Sequence, residues 1–585
     1  MADAWQTYPF EFRGGLITNL APTQQGVQAP GSARILRNFE PSIFGGYRRV
    51  EGFTKFDTAL LPNSGAIRGL IRYKSRVYAV RGNDLFRSGG SDNLTAKVNG
   101  AVSSSATITV DDKTSVIATN MQVAGTGITG IVTVDSISAQ DNTAKTATVV
   151  LSTAVTLADN TDLTFSAPWT QISDNSTYGS AGVTIGGSGK VRFLKYDFDG
   201  TEKLMLVDGT GKPYRFDDST FAQLSSLPSD TSGASFITNF KNHIVLGNGK
   251  KIVFSAPYED DDFTVANGGG IINVADEITG LIVFREQLIV FCKTSIFVLN
   301  GNSVADFTLQ PVSRDLGCVA PDTIQEIGGD IIFLGPDGLR LFSATDRIGD
   351  FSLGAVSKTI QSEMLDLINS GSSGFTSTVI REKSQYRVFA FLLSGATEGA
   401  KGIAATQLQE GVVFNDLRGI NAHVAHSEYE GFDELIYFAN NDGYVYQMES
   451  GNTFDGKNIL ASFATPFVPL NDPSVRKTIY KGTAYLKING GFELRQTLQF
   501  DYAQAGSNQS SETLDSSASA TVSYGSATYG ASSSVYGTAP DAIFNVQTRG
   551  SGFVVSVLYE TLGNSTDAVF TIDSATLQYI TNARR

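Results

Sequence analysis

Histidine occurs three times in 585 residues, tryptophan and cysteine twice each, and methionine five times. Two cysteines exclude a disulfide framework and leave no paired-cysteine zinc motif. His423 and His426 are three apart, a spacing that puts them on opposite faces of a strand, and no third ligand stands near them. His243 stands at the start of a hairpin and is expected at the surface or in a turn. Charge is thin as well, at 17% against roughly 25% in an average globular protein. Its balance is acidic, net −14, so the basic footprint of a protein that grips nucleic acid is missing. Passage of DNA is a different matter, because an acidic or neutral wall repels phosphates and lets a duplex slide. No run approaches the roughly 18 apolar residues of a membrane span. The opening "MADAWQTYPFEFRGG" lacks the basic and apolar regions of a secretory signal. The expectation is a protein made in a cytoplasm and not exported by the standard route. No nucleophile elbow, phosphate-cradling glycine loop or HExxH occurs. "GGSG" at 186–189 and "GGG" at 268–270 follow no strand–helix pattern and are loop glycines.

What the chain has is glycine (60), phenylalanine (37), tyrosine (21) and an apolar fraction of 41%, enough for a core. That balance favours strands and tight turns. "DELIYFANNDGYVYQME" at 433–449 alternates apolar residues on both sides of an Asn/Asp-Gly turn, a strong hairpin signal. Six more hairpins share its form, indexed by Val77, Leu204, Ile244, Leu288, Ile331 and Val388, with Leu435 as the seventh. A further β-like run precedes several of them, as in "AIRGLIRY" (66–73) and "KVRFLKYD" (190–197). Three or four strands in about 40–50 residues is the period of a β-propeller blade. A lone blade cannot bury both faces, whereas blades stacked around an axis bury each face on a neighbour. About seven blades are expected, with six or eight allowed. The first interval is long because residues 98–168, rich in Thr, Val, Ala, Ser and Gly, intervene. They are expected to form a small β-sandwich inserted in a blade loop.

Other features carry weaker chemistry. Cys292 lies in "LIVFCKTSIFVL", and both it and Cys318 are expected as buried free thiols. "DFDGTE" (197–202) and "YEDDDF" (258–263) have the carboxylate density that calcium wants, but Asp-Gly is turn chemistry first. Residues 357–371 are expected to form a helix with Ile360, Met364, Leu367 and Ile368 on one face, ended by Gly371. Any two acids can meet in space, so a paired-carboxylate glycosidase is not excluded by sequence alone.

The two ends do not fit the blade form. The first 60 residues are turn-rich with a basic cluster at Arg34, Arg37, Arg48 and Arg49; the last 130 contain alternating strands and a Tyr-Gly tract, "YGSATYGASSSVYG", at 524–537. In order, the chain has Gly14 and Gly15, "LRNFE" (36–40), "GGYRRVEGFTKF" (45–56), the repeated hairpins, "NDPSVRKTIYKGTAYLKING" (471–490), the Tyr-Gly tract, "GSGFVVSVLYE" (550–560) and "QYITNARR" (578–585). This succession resembles the tail nozzle proteins of short-tailed (podovirus-type) bacteriophages, also called tail tubular protein B. The resemblance implies a platform domain built from both chain ends, an outward-pointing propeller, and a homo-oligomeric, typically six-fold ring below the tail adaptor ring, whose bore passes double-stranded DNA at ejection without reading its sequence. It also implies residence in the tail of a virion assembled in the host cytoplasm, with tail fibres or spikes as further partners.

The division expected is 1–62 platform, 63–97 first blade, 98–168 insert, 169–450 remaining blades and 451–585 platform, with a Tyr-Gly loop at 503–540. Candidate subunit or adaptor contacts are Arg13, Arg34, Arg37, Arg48, Arg49, Tyr524, Tyr529 and Tyr536. The expected role is structural, not enzymatic, with no cofactor. The alternative is a carbohydrate-binding or carbohydrate-cleaving propeller for host-surface recognition, which requires an aromatic, acidic pocket on the propeller axis. A bacterial surface adhesin is a third option, which the missing secretory signal argues against.

Overall fold

The computed structural model describes residues 5–582 apart from 30, 90–93, 115, 118, 120, 130–131, 167–168, 226, 344–354, 372, 395–398, 410, 489, 503–509, 516–542 and 564–566. The seven index residues all fall on the second strand of a blade-like unit: Arg76–Arg81, Lys203–Val207, His243–Asn248, Gln287–Cys292, Asp330–Gly335, Gln385–Ala390 and Asp433–Ala439. Among the described residues six units are separate sheets, five of four strands and one, the fifth, of three. The sixth unit in sequence, Phe375–Ile380 to Gly411–Arg418, is instead one end of a nine-stranded sheet.

Apolar clusters fill the gaps between successive units. Tyr78 of the first unit packs with Leu204 and Phe216 of the second, and Met205 of the second with Ile244 of the third. Phe291 of the fourth packs on Phe333 of the fifth. The seventh unit meets the first through Val424, Tyr437, Leu70 and Val77, which closes the ring. Burial of both faces on neighbours is the reason no unit need stand alone.

Closure depends on a strand the hairpin pattern does not announce. Phe53–Lys55, expected in the platform, pairs with Val445–Met448 as the outer strand of the seventh unit. Its third residue pair seats Phe53 beside Phe438, Tyr446 and Phe454.

Both chain ends build a second body of two sheets. In one, Gln6–Glu11 and Tyr47–Arg49 pair with Phe570–Thr581, which also pairs with Lys477–Ile488. The other is the far part of the nine-stranded sheet, in the order Ile35–Arg37, Ser462–Ala464, Val555–Thr561, Glu493–Phe500, Ser511–Asp515. One apolar core, including Phe39, Tyr47, Phe463, Tyr559 and Ile572, lies between them. Because Ile35–Arg37 meets Gly411–Arg418 at Arg37–Asp416, the sheet runs from the ring into the two-sheet body.

The insert corrects the expected sandwich. Leu94–Val98 pairs with both Val102–Asp111 and Asp162–Ser166, so the six strands of residues 94–166 close into a barrel. Closure removes both sheet edges, and Val110, Val134, Val149 and Phe165 fill the interior. Leu94–Val98 therefore belongs to the barrel and not to the first blade, while Trp169–Gln171 returns to pair with Asp84–Ser88. Since Trp169 pairs with Ser88, a short Gly-Ser link in place of 90–167 is expected to leave the circular-dichroism spectrum of the remainder β-rich. Thermal unfolding should keep one main transition, within a few degrees of the parent.

Two further expectations are adjusted. The helix is Gln361–Ser370, preceded by the 3-10 turn Val356–Ile360, with Met364 and Leu367 buried. Gly371 ends it at φ −82°, so left-handed freedom is not its purpose. A Cβ there would lie 2.0 Å from the Phe375 ring, and close packing requires the glycine. His243 is buried, contrary to the surface position expected, with Nδ1 2.6 Å from the Ser255 carbonyl. Cys292 and Cys318 are free and buried, and burial pushes both thiols up to about 12.

Candidate functional site

Among the described residues the first strand of each blade pairs on one side only, so its other edge faces the axis. Around that axis lies a cavity of about 370 Å³ lined from every unit, including Gly69, Arg192, Phe236, Gly280, Gln325, Ser377 and His426. Gly69 and Gly280 keep the strands close: a Cβ on Gly69 would lie 2.8 Å from the Phe193 ring, and one on Gly280 2.2 Å from Ile324 Cδ1.

Side chains from one blade satisfy groups of others across this space. Lys190 and Arg192 lead the second unit, and Asp322 lies in the 3-10 turn Pro321–Thr323 before the fifth. Lys190 Nζ is 3.0 Å and Arg192 Nη2 2.9 Å from the Asp322 carboxylate. Lys190 also donates to the Phe375 carbonyl at 2.8 Å, Arg192 to the Ser235 carbonyl at 2.9 Å, and the Arg192 guanidinium lies over the Phe236 ring. Ser377 donates to the Asp322 carbonyl at 2.8 Å. Nearby, Lys195 reaches Glu428 at 2.6 Å, and His426 Nε2 lies 3.2 Å from the same carboxylate. Burial raises Asp322 and Glu428, but the cations beside Asp322, and His426 with Lys195 beside Glu428, outweigh it and hold both at about 2. An acid held this low is a poor proton donor at neutral pH, and neither has the environment of a glycosidase acid.

His423 joins the seventh unit to the first. Its Nδ1 lies 2.8 Å from the Ile67 carbonyl and its ring packs at 4.3 Å on Phe391. Burial, reinforced by Lys190 and opposed by the Ile67 carbonyl and Asp322, lowers it to about 4. Folding therefore favours the neutral ring. Stability from this group is full above the unfolded value near 6.5 and is lost as pH falls toward 4. Urea titrations at pH 7 and pH 5 are expected to differ by about 1–2 kcal/mol on this account, and His423→Gln should remove most of that difference.

The arginines expected at a contact surface do not form one basic patch. Arg13 lies beside Glu11 at 3.5 Å, and Arg37 beside Asp416 at 3.2 Å. Arg34 bonds Gln499 and lies over the Phe467 ring. Arg48 pairs with Glu51 and Glu40, while Arg49 is buried and donates to the Asp567 carbonyl at 2.6 Å. Tyr524, Tyr529 and Tyr536 lie outside the described residues. The acidic clusters are likewise engaged. Asp260 takes Arg215 and Tyr196, Asp262 takes Thr264 and Asn267, and Asp199 takes Lys203. Sequence reasoning missed the axial set. Its one signal was the alternation of Lys190 and Arg192 at the start of the second unit.

No protein-family model matches the chain, and no curated protein matches its sequence. Among solved structures it is similar to a computationally designed protein, Ika8, at 10% identity and a TM-score of 0.30, over 67% of this chain and 98% of that one. A likeness that slight carries no argument.

Proposed function

We propose that the chain is the nozzle subunit of a short phage tail, a structural virion protein whose copies form a ring that attaches to the tail adaptor and guides DNA at ejection. One observation carries the reading. The segments below, which resemble the nozzle family and lie among the described residues, are scattered along the sequence, yet they converge on the two-sheet body and its junction with the ring. "LRNFE" contributes to Ile35–Arg37 and Phe39–Pro41, and "GGYRRVEGFTKF" to Tyr47–Arg49 and Phe53–Lys55. "NDPSVRKTIYKGTAYLKING" contributes Lys477–Ile488, "GSGFVVSVLYE" Val555–Thr561, and "QYITNARR" the end of Phe570–Thr581. Pieces that meet in space share one structural task.

Charge supports the same division of labour. Residues 1–62 and 451–585 hold 15 basic and 15 acidic residues, so the whole excess of −14 lies in 63–450. A neutral body at the lumen gives phosphates no adhesive wall. The propeller axis is not the conduit: about 370 Å³ crossed by ion pairs cannot admit a duplex whose major groove alone is about 12 Å wide. DNA passes between copies, through the centre of their ring.

Native mass measurement of the full chain, alone and mixed with the adaptor protein of the same phage, is expected to give a closed oligomer that binds the adaptor. A monomer that ignores the adaptor but releases sugar from host polysaccharide would establish the carbohydrate alternative instead.

A further inference from the structure

We infer that the axial cavity is a binding site for a compact oxyanion, a single carboxylate or phosphate group on a small molecule. The argument begins with charge. Lys190 and Arg192 share one carboxylate, Asp322, while Lys195 balances Glu428. Lys190 and Arg192 against Asp322 thus leave one uncompensated positive charge among the acidic and basic side chains that line the cavity. The Lys190 side chain is only 15% exposed and that of Arg192 24%, so water screens this charge poorly. Removing an ion from water without a counter-charge is costly. Burial accordingly lowers Lys190, even with Asp322 raising it.

Hydrogen bonding points the same way. An ammonium has three protons and a guanidinium five. Lys190 gives two to Asp322 and the Phe375 carbonyl. Arg192 directs its Nε and Nη2 at Asp322 and its Nη1 at the Ser235 carbonyl. One ammonium proton and two guanidinium protons have no partner among the described residues. Both side chains line the cavity, together with Gln325, Thr376, Ser377 and His426. Its volume of about 370 Å³ falls within the usual range of small-molecule pockets. A carboxylate or phosphate there neutralises the excess charge and accepts the remaining donors, which are the strong, charge-assisted kind. This site is independent of the ring of copies and of the nozzle reading.

Calorimetric titration of the full chain with inorganic phosphate, acetate and glucuronate tests it, the three probes separating a free phosphate, a bare carboxylate and a sugar acid. At least one is expected to bind with a dissociation constant below about 1 mM, an affinity of about 4 kcal/mol. Lys190→Met should weaken that probe at least tenfold, and Lys190→Arg should retain most of the binding. If Lys190→Met fails to fold, line broadening of the probe's NMR signal by the parent protein, reversed by Arg192→Lys, supplies the answer. No heat from any probe at 10-fold above about 1 mM, or binding that neither substitution alters, overturns the inference.

Discussion

Arg387→Met is expected to destabilise the chain by about 3–5 kcal/mol, because it removes the fully buried partner of two carboxylates and leaves Lys383 to serve both. Arg387 is fully buried between Glu40 at 2.9 Å and Glu449 at 2.6 Å. Glu40 comes from the N-terminal strand Phe39–Pro41, Arg387 from the sixth unit, and Glu449 from the end of the seventh. Lys383 bridges the same two acids, and Arg48 approaches Glu40 at 3.6 Å. The cluster thus ties the two-sheet body to the two last units of the ring. Burial pushes Glu449 up, but Arg387 and Lys383 hold it down at about 2. The stability it contributes is therefore present above its unfolded value near 4.5 and lost as pH falls toward 2. Urea unfolding at pH 7 measures the cost of Arg387→Met. Adding Glu449→Gln should recover part of it by leaving Lys383 to Glu40 alone, since the penalty comes from unmatched charge and not from lost volume. Equal loss in the single and double variants would show that packing, not charge, holds this junction.

Phe463→Ala is expected to cost about 3–5 kcal/mol and to loosen both chain ends together. Phe463 sits in the short strand Ser462–Ala464, between Ile35–Arg37 and Val555–Thr561. Its ring centroid lies 5.1 Å from Phe12, 5.2 Å from Phe39, 5.3 Å from Tyr47 and 4.9 Å from Tyr559. Three of these rings belong to the N-terminal segment and one to the C-terminal part. Truncation removes edge-to-face and stacked partners at once, with a cavity at the centre of the core. Limited proteolysis should then release fragments from both ends at similar rates, while the blades stay resistant. Release of the N-terminal segment alone would mean that the ends are held by separate cores.

The blades were legible because their information is local. Period-two alternation around a glycine turn, as in Asp433–Ala439 and Val445–Met448, needs no partner from elsewhere. The strand that completes the seventh unit was not, because three residues, Phe53–Lys55, are too few to show a period. The insert's strands were visible but not their closure, since whether Leu94–Val98 pairs twice depends on barrel geometry. The ion cluster at Arg387 was invisible for another reason: Glu40 is 347 residues away in the chain. Arg48 and Arg49 looked like one basic patch, yet strand alternation sends them to opposite faces, Arg48 toward Glu51 and Arg49 into the interior.

Electron microscopy of the purified chain, frozen at assembly concentration, tests the central claim most directly. The account predicts a closed ring of copies joined by their two-sheet bodies, with an open passage between them wide enough for a duplex. Each propeller should project outward with its own axis shut by Lys190, Arg192 and Asp322. Isolated monomers at every concentration, or a ring joined through the propellers with its passage along their axes, would contradict it.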